Sequence, residues 1–574
     1  MRQIKAPTAP LALHDAFAFD ARIPSVRPSG PMTYIRDFAD LRSTDTPLVG
    51  GKTAAIGELT ALAAQGVATP SGFAVTAQAY RDALTAADAW SPLHALLDGL
   101  DVRDVRALAK AAEAARRIVY DATAHPPLLA EISAAWRAMA AIHGPDLAVA
   151  VRSSATAEDL PGASFAGQHE SYLWVRGEAA VLEACRRCFA SIFTDRAIVY
   201  RTDNGFDHFK VYLSVAVMKM IRADQAASGV IFTLDTETGF SDVVLVTGAY
   251  GLGETLVQGR VDPDEFYVHK PTYRQGHRAV LSHRLGAKAI KLALSGRSGG
   301  APVERPVPRA DRARYCLTDA EALDLAGMAL TIEAHFSQAA GQARPMDIEW
   351  AKDGPDGPLY ILQARPETVA SRRSRNEIET WRLKGEGPVL VSGQAVGDRI
   401  AAGAVRVVRS QQDLEAFQPG EVLVAAATSP DWEAVMKRAS AIVTDRGGRT
   451  CHAAILAREM GVPAVVGAGD ATTRLQTGHS VTVSCAAGEA GQVFDGALPF
   501  EVERIAVTDL KPTRTEIMLN LGDPRAAFAH AQLPVAGVGL ARMEFIINNV
   551  IGIHPKAILE LDRVPASLRD EINR

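Results

Sequence analysis

The chain has 574 residues, of which 48% are hydrophobic and 22% charged, and 61 basic against 66 acidic residues give a net charge of −5. This length allows roughly three to four domains, which excludes a single small module. The slight acidic excess argues against a general nucleic-acid or anionic-membrane surface, because both need a basic one. Five cysteines are too few for a disulfide framework, and no apolar run approaches the roughly 18 residues that span a bilayer. We expect a cytoplasmic protein that does not enter a membrane.

The chain divides into segments of different character. Residues 1–30 are rich in proline and alanine and predict a loosely ordered extension. Helical and strand-like runs alternate over 31–370, which indicates an α/β or α+β region. Residues 371–387 are polar without a helix or strand period and predict a linker. Short Val, Ala and Gly-rich strands over 388–500 fit one compact domain, and a further segment, 511–574, begins with a strand.

The most informative stretch is AIVTDRGGRTCHAAILAREMGVPAVVG, residues 441–467. It predicts a buried strand, a Gly-Gly turn, Thr450 as the N-cap and a helix from Cys451 to Met460. His452 then lies in the first helical turn, where free N–H groups stabilise an anion and disfavour the imidazolium. This pattern indicates a phosphoryl-accepting histidine, although a buried or capping histidine stays open. Cys451 is predicted to pack in the core, since adjacent helical residues do not face each other.

Several motifs resemble those of one known family. GGRTCHAAI followed by MGVPAVVG is similar to the phosphohistidine segment of the phosphoenolpyruvate synthase (pyruvate, water dikinase) family. The resemblance covers residues 34–574 and implies three parts: an ATP-grasp-type nucleotide-binding domain, a swivelling phosphohistidine domain and the start of a (β/α)₈ barrel. Other matching strings, in chain order, are GGKTAAIGEL, AVRSSATAEDLPGASFAGQ, GAYGLGETLVQG, DPDEFYVHKP, RPMDIEWAKDG, LQARPET and GVGLARMEFI.

Two basic residues are candidates for binding phosphates. Lys52 follows a Gly-Gly turn at the mouth of a helix, but a P-loop is excluded because its first glycine would be Thr46. Arg152 ends an apolar strand and precedes two serines. A surface lysine and an exposed salt bridge are the alternatives. The resemblance implies that both residues bind ATP.

A predicted β-hairpin gathers charged side chains. DIEW and LYILQAR are strand-like runs joined by KDGPDGP, with Asp347 and Glu349 on one face and Gln363 and Arg365 on one face. If the register aligns these faces, the set suits Mg²⁺ with a nucleotide, and Glu349 is the predicted metal ligand. A solvated polar face is the alternative. The resemblance to ATP-grasp-type domains implies the nucleotide site.

Four further residues take their roles from the resemblance. Glu254 and Gln258, on a helix after the glycine-rich loop GAYGLGE, are implied to contact the nucleotide. Arg542 is implied to bind the phosphate of phosphoenolpyruvate, although an ion pair with Glu544 is open. Thr450 is implied to be the target of a regulatory kinase or phosphorylase.

The resemblance implies the reaction ATP + pyruvate + water → AMP + phosphoenolpyruvate + phosphate, through a phosphohistidine at His452. A complete barrel needs about 250 residues, far more than segment 511–574 contains. We therefore expect this chain to perform only the ATP half-reaction. Residues 371–387 and 500–515 would be the hinges of the swivelling domain, and a homodimer is a further expectation. Pyruvate, phosphate dikinase, an antibiotic phosphotransferase and a non-catalytic ATP-binding phosphocarrier are the alternatives.

Overall fold

The computed structural model describes residues 33–156, 159–160, 163–164, 170–367, 377–429, 432–449, 451–506, 513–522, 524–547 and 551–572. These residues form two compact units. The first unit comprises residues up to 233, 244–257 and 261–367, and the second comprises 234–243, 258–260 and the chain from 368 onward. The prediction of a mixed α/β chain with several domains is confirmed.

The first unit contains two larger sheets and two short strand pairs. Its strands are β1 Ile35–Asp37, β2 Gly72–Val75, β3 Ala148–Ala155, β4 Asp159–Leu160, β5 Ala163–Ser164, β6 Ser171–Arg176, β7 Leu213–Lys219, β8 Ala227–Phe232, β9 Val243–Tyr250, β10 Asp264–His269, β11 Val280–Arg284, β12 Ile290–Ala293, β13 Val303–Pro306, β14 Met346–Lys352 and β15 Leu359–Pro366. One sheet has the order β1-β2-β7-β3-β6 and another β11-β10-β9-β8-β14-β15, and β4-β5 and β12-β13 form short pairs.

Helices of the first unit pack on both larger sheets. They are α1 Thr46–Thr60, α2 Ala77–Ala86, α3 Trp90–Leu97, α4 Val105–Ala122, α5 Pro126–His143, α6 Glu178–Ala190, α7 Asp195–Asp203, α8 Glu254–Val257, α9 Lys270–Arg274, α10 Arg309–Arg312 and α11 Asp319–Ala340. Helices α2, α5 and α6 pack against the five-stranded sheet and α11 against the six-stranded one. Helix α4 has buried positions at Leu108, Ala112, Ala115 and Val119, the spacing of an amphipathic helix. Helix α1 instead contacts β3 and β7 of the five-stranded sheet and β15 of the six-stranded sheet.

The alternation of side chains along strand β3 determines which face of the sheet carries Arg152. Val149 and Val151 belong to the core cluster shared with α4, α5 and α6. The alternate residues Ala148 and Ala150 belong to the cluster that contains the buried side of α1. Arg152 lies on the face of the alanines because successive side chains of a strand point to opposite faces. Small residues on this face leave room beside α1.

The second unit is built around a closed barrel. Its strands are β16 Glu377–Leu383, β17 Val389–Val396, β18 Ile400–Val408, β19 Val422–Ala425, β20 Ala441–Thr444, β21 Ala464–Val466, β22 Ser480–Ser484, β23 Ala490–Asp495, β24 Phe500–Ala506, β25 Met518–Leu521 and β26 Gly537–Ala541. The helices are α12 Gln411–Glu415, α13 Glu433–Met436, α14 His452–Met460, α15 Ala471–Arg474, α16 Ala527–His530, α17 Met543–Ile546, α18 Pro555–Leu559 and α19 Ala566–Ile572. The barrel has the order β17-β21-β20-β19-β18-β22-β23.

Valines fill the barrel, and α14 packs on its outside. The interior cluster includes Val443 and Val465. A second cluster joins the outward-facing Ile442 to Ala454 and Ala457 of α14. The strand Ala441–Thr444 is therefore buried on both faces, as its continuous apolar sequence predicts.

Part of the predicted linker 371–387, Glu377–Leu383, forms strand β16, which the sequence does not predict; the linker itself stays a prediction. Strand β16 pairs with β24 in an antiparallel two-stranded ribbon. Cross-strand ion pairs contribute to it, with Lys384 Nζ at 2.8 Å from Glu501 Oε2 and Arg504 Nε at 2.9 Å from Glu379 Oε1. Opposite charges across a ribbon stabilise it without apolar alternation. A search for hydrophobic period therefore misses such a strand. Residues 368–376 and 507–512 lie outside the described residues.

Strands β25 and β26 pair in parallel, as the first strands of a (β/α)₈ barrel would, and the barrel itself stays a prediction.

In the described part of the chain, no helix is both long enough and apolar enough to cross a membrane.

Candidate active site

A kink in helix α1 places Lys52 at the start of a helical turn. Gly50 has φ +73° and ψ 164°, so the helix is interrupted there and resumes just before Lys52. The backbone N–H of Thr53 donates to Ser154 Oγ on strand β3 at 3.1 Å. A Cβ at Gly50 would come within 2.3 Å of Ser154 Oγ. The GG of GGKT is thus a close approach of helix and strand, and Lys52 lies in the helical turn that follows it.

Gly50→Ala should therefore weaken ATP binding by about ten-fold or more and lower the melting temperature. The change strains a backbone conformation that is essentially restricted to glycine, at a cost of roughly 1–3 kcal/mol, and adds a clash with Ser154. Gly66→Ala is the matched control, because Gly66 also has a positive φ, +89°, but its added Cβ would meet nothing within 4 Å. Calorimetric titration with ATP measures both variants. Equal affinity in the two would contradict a role for the kink in placing Lys52.

A pocket opens between α1, β3, β7 and β15. Its polar lining includes Lys52, Arg152 and Gln363, and its apolar lining includes Ala216 and Met218. The full lining is Lys52, Thr53, Ile56, Arg152, Ser153, Ala216, Met218, Leu362 and Gln363. The apolar side can receive a planar base, while the cations can receive phosphates. The sequence prediction overlooked Thr53, although it follows Lys52 directly, and the apolar wall, which resembles any buried strand.

The predicted hairpin is present with the required register. Asp347 pairs with Arg365 and Glu349 with Gln363 across β14 and β15. Arg365 Nη2 lies 2.8 Å from Asp347 Oδ2. Arg152 Nη2 lies 3.9 Å from Glu349 Oε2, which brings β3 to the same place. Of these five side chains, Arg152 and Gln363 line the pocket.

Burial shapes the charge of one hairpin carboxyl. It raises the pKa of Asp347, the ion pair with Arg365 opposes the shift, and the net pKa is raised. Asp347 is thus the partner of Arg365 and less suited to be a free metal ligand. Glu349 is held more loosely, because its Oε2 lies 3.9 Å from Arg152 Nη2 and its side chain is 35% exposed. Its oxygens can therefore reach a cation.

The residues present fit Mg²⁺ bound together with a nucleotide. No group of three or more His, Cys, Asp or Glu side chains suited to a metal occurs among the described residues. Mg²⁺ at nucleotide sites commonly uses one or two carboxylates plus phosphate oxygens. Glu349 can supply that carboxylate, with Gln363 directly opposite it.

Five of the predicted nucleotide ligands are not among the residues that line the pocket: Asp347, Glu349 and Arg365 of the hairpin, and Glu254 and Gln258. Glu254 begins helix α8 and is exposed. Gln258 belongs to the second compact unit. Their predicted contacts with the nucleotide stay predictions.

In the second unit, strand β20, a glycine turn and helix α14 follow one another as predicted. Gly447 has φ +111°, and α14 ends at Gly461 in the left-handed conformation, with φ 65°. His452 is the first residue of the helix. Strand, turn and helix therefore present position 452 at a helix N-terminus, where an incoming phosphate is stabilised.

The predicted N-cap is off by one residue. Cys451 occupies the N-cap position with extended backbone, and no side chain caps it. Its side chain is only 2% exposed within the apolar cluster around α14. The N-cap residue is therefore a buried cysteine, and Thr450 lies outside the described residues. Burial also raises the pKa of the Cys451 thiol, which agrees with the predicted packing role.

Arg542 is also located. It follows β26 directly and is the N-cap residue of α17. Its guanidinium carbon lies 5.6 Å from the ring centroid of Phe545, and the side chain is exposed. The C-terminal end of a parallel strand is where barrel enzymes place substrate-binding residues. Its role in binding phosphoenolpyruvate stays a prediction.

Comparison with known proteins identifies the family. Residues 46–384 match the family "Pyruvate phosphate dikinase, AMP/ATP-binding domain", and residues 417–488 match "PEP-utilising enzyme, mobile domain". The chain is 54% identical over 94% of its length to phosphoenolpyruvate synthase of Pseudomonas aeruginosa, covering 68% of that protein. Identity is 50% to the Synechocystis enzyme over 92% of this chain and 65% of the relative. Identity is 48% to phosphoenolpyruvate synthase of Escherichia coli, over 93% of this chain and 67% of that relative. The chain spans about two thirds of these relatives and belongs to the phosphoenolpyruvate synthase family.

Proposed function

We propose that the chain uses ATP to phosphorylate His452 and, by that intermediate, serves the synthesis of phosphoenolpyruvate from pyruvate. The pocket formed by Lys52, Arg152 and Gln363 carries this proposal, because it joins two cations and an apolar wall in a chain of this family. The chain spans about two thirds of the relatives, so the complete reaction is itself part of the proposal. Placement in the cytoplasm rests on five free cysteines.

The chain's own residues divide the first half-reaction between them. Lys52 and Arg152 neutralise the phosphates, and Glu349 would hold Mg²⁺, which supplies further positive charge there. A ring nitrogen of His452 attacks the β-phosphorus of ATP, the bond to the α-phosphate oxygen breaks, and AMP leaves. Water then removes the terminal phosphate. The covalent phosphohistidine divides one difficult transfer into two easier ones.

The product formed from the terminal phosphate tests this proposal. The chain is incubated with ATP labelled at the γ-position and Mg²⁺, and the products are separated. Release of labelled inorganic phosphate without added phosphate supports the water-dependent reaction. Labelled pyrophosphate that requires added phosphate would indicate a pyruvate, phosphate dikinase instead. ATP binding without AMP formation would indicate a non-catalytic carrier.

The second half-reaction is assayed by adding pyruvate to protein that has first been labelled with [β-³²P]ATP. Formation of phosphoenolpyruvate with loss of label would support transfer at the site that includes Arg542. Retention of label would limit this chain to the ATP half-reaction. A homodimer is a further proposal, which mass measurement of the native protein tests.

Thr450 is proposed as a regulatory position. Thr450→Glu should reduce labelling of His452 by about ten-fold or more, because a negative charge two residues from the nucleophile repels the phosphates of ATP. Thr450→Val keeps the size without the charge and should label at nearly the original rate. The initial rate of label transfer from [β-³²P]ATP measures both. Equal rates in the two variants would reject regulation by charge.

A further inference from the structure

We infer that Glu237 is a positioning residue for His452. Its carboxylate holds the guanidinium of Arg458, and that guanidinium holds the backbone of the loop that precedes the histidine. The inference rests on the proposed function, since it takes His452 as the nucleophile. Residues 234–243 and helix α14 both belong to the second compact unit.

The contacts form a chain from Glu237 to the loop. Arg458 lies on α14 and donates through Nη2 to Glu237 Oε1. Through Nη1 it donates to the carbonyl oxygen of Arg449. The second oxygen of Glu237 accepts the backbone N–H of Gly397 at 2.9 Å. Glu237 is therefore held at both oxygens, and the fork of Arg458 is shared between a carboxylate and a loop carbonyl.

The pair is largely withdrawn from solvent. The side chain of Arg458 is 4% exposed and that of Glu237 17%. Burial by itself would raise the pKa of Glu237, but the charges of Arg458 and Arg449 lower it below its usual value. Arg449 also forms an ion pair with a different carboxylate, since its Nη1 lies 3.5 Å from Glu489 Oε1. Among the described residues, Glu237 is the carboxylate that pairs with Arg458, so its loss leaves a buried cation uncompensated.

The carbonyl of Arg449, to which Arg458 donates, belongs to the turn that leads to His452. Arg449 is three residues before the histidine. On either side, the turn is fixed by Thr444 Oγ1, which donates to Arg446 O at 2.8 Å, and by Cys451 N–H, which donates to Gly448 O at 3.1 Å. Without Glu237, Arg458 would turn toward water and release the carbonyl. Fewer molecules would then present His452 correctly, which lowers the rate of transfer without changing the nucleotide pocket.

Labelling kinetics of the full chain test the inference. Glu237→Gln keeps the size of the side chain and removes its charge. We expect the maximum rate of label transfer from [β-³²P]ATP to fall about ten-fold or more, while the ATP concentration for half-maximal rate stays within about two-fold. Glu237→Asp keeps the charge and should restore part of the rate; it also decides the matter if Glu237→Gln does not fold.

Glu421→Gln is the matched control. Glu421 forms a two-point pair with Arg406 in the same unit, at 2.6 and 3.0 Å, and its side chain is 12% exposed. It should leave the labelling rate unchanged. In the Arg458→Gln background, adding Glu237→Gln should cost little further rate, because Glu237 acts through Arg458.

Three results would overturn the inference. They are an unchanged rate in Glu237→Gln, a loss no larger than in Glu421→Gln, and a loss of equal factor with and without Arg458. If the unsubstituted chain itself takes no label from ATP, the proposed function fails instead, so the two failures are distinguishable.

Discussion

Substitution of His452 by alanine should abolish the transfer of the β-phosphate of ATP to the protein while leaving ATP binding intact. The nucleotide pocket contains Lys52, Arg152 and Gln363 and does not include position 452. Removal of a covalent nucleophile costs about 10⁴-fold or more in rate. Incubation with [β-³²P]ATP and Mg²⁺, followed by gel separation, measures the label, and equilibrium dialysis measures ATP binding.

The chemistry of the label identifies its attachment. A phosphoramidate on histidine is stable to base and labile to acid, whereas a serine or threonine phosphate behaves in the opposite way. His479→Ala is the matched control, because His479 also belongs to the second unit and its Nε2 pairs with Asp495 Oδ1 at 2.9 Å. It should take up label normally. Acid-labile labelling that persists in His452→Ala would place the nucleophile elsewhere.

The local elements around His452 could be predicted because each has a short-range cause. Strand Ala441–Thr444 is continuously apolar, Gly447 needs a positive φ, and Gly461 ends the helix. The start of α14 was harder to predict. The sequence offers Thr450 as a capping hydroxyl, but the buried Cys451 takes the N-cap position. Packing that depends on distant strands decides such boundaries.

The pocket beside α1 contains three of the predicted nucleotide ligands, Lys52, Arg152 and Gln363, but the sequence does not show how it is assembled. Period-two alternation places Asp347 with Glu349 and Gln363 with Arg365, and the observed register joins them. Nothing in the local sequence shows that Ser154 receives the N–H of Thr53, since the two residues are about a hundred positions apart.

Long-range charge pairing is the part that sequence patterns miss. Glu237 has no motif around it, and its partner Arg458 is 221 residues away. The ribbon of β16 and β24 likewise depends on pairs such as Glu379 with Arg504. Closure of the seven-stranded barrel is also non-local, because its order interleaves early and late strands. Such features follow from topology, which single-segment periodicity does not contain.

Arg152→Gln is expected to slow labelling of His452 by about 10²–10³-fold, because phosphoryl transfer depends on positioned positive charge. The guanidinium lines the pocket and is only loosely engaged by protein, since Nη2 is 3.9 Å from Glu349 Oε2. A pair of this length contributes about 0–1 kcal/mol. Structural loss should therefore be small, and melting temperature should stay close to that of Arg116→Gln, a control that removes a pair with Asp195 at 2.9 Å.

The double variant Arg152→Gln with Glu349→Gln separates the two interpretations of this arginine. If Arg152 only balanced the charge of Glu349, neutralising the carboxylate would remove the imbalance and restore the labelling rate. If Arg152 binds phosphate and Glu349 binds Mg²⁺, each loss adds to the other, and the double variant should be slower than either single one. Glu349→Gln alone should raise the Mg²⁺ concentration needed for half-maximal rate, because an amide oxygen is a weaker ligand than a carboxylate. Recovery of the rate in the double variant would show that the pocket does not use Arg152 to bind the nucleotide.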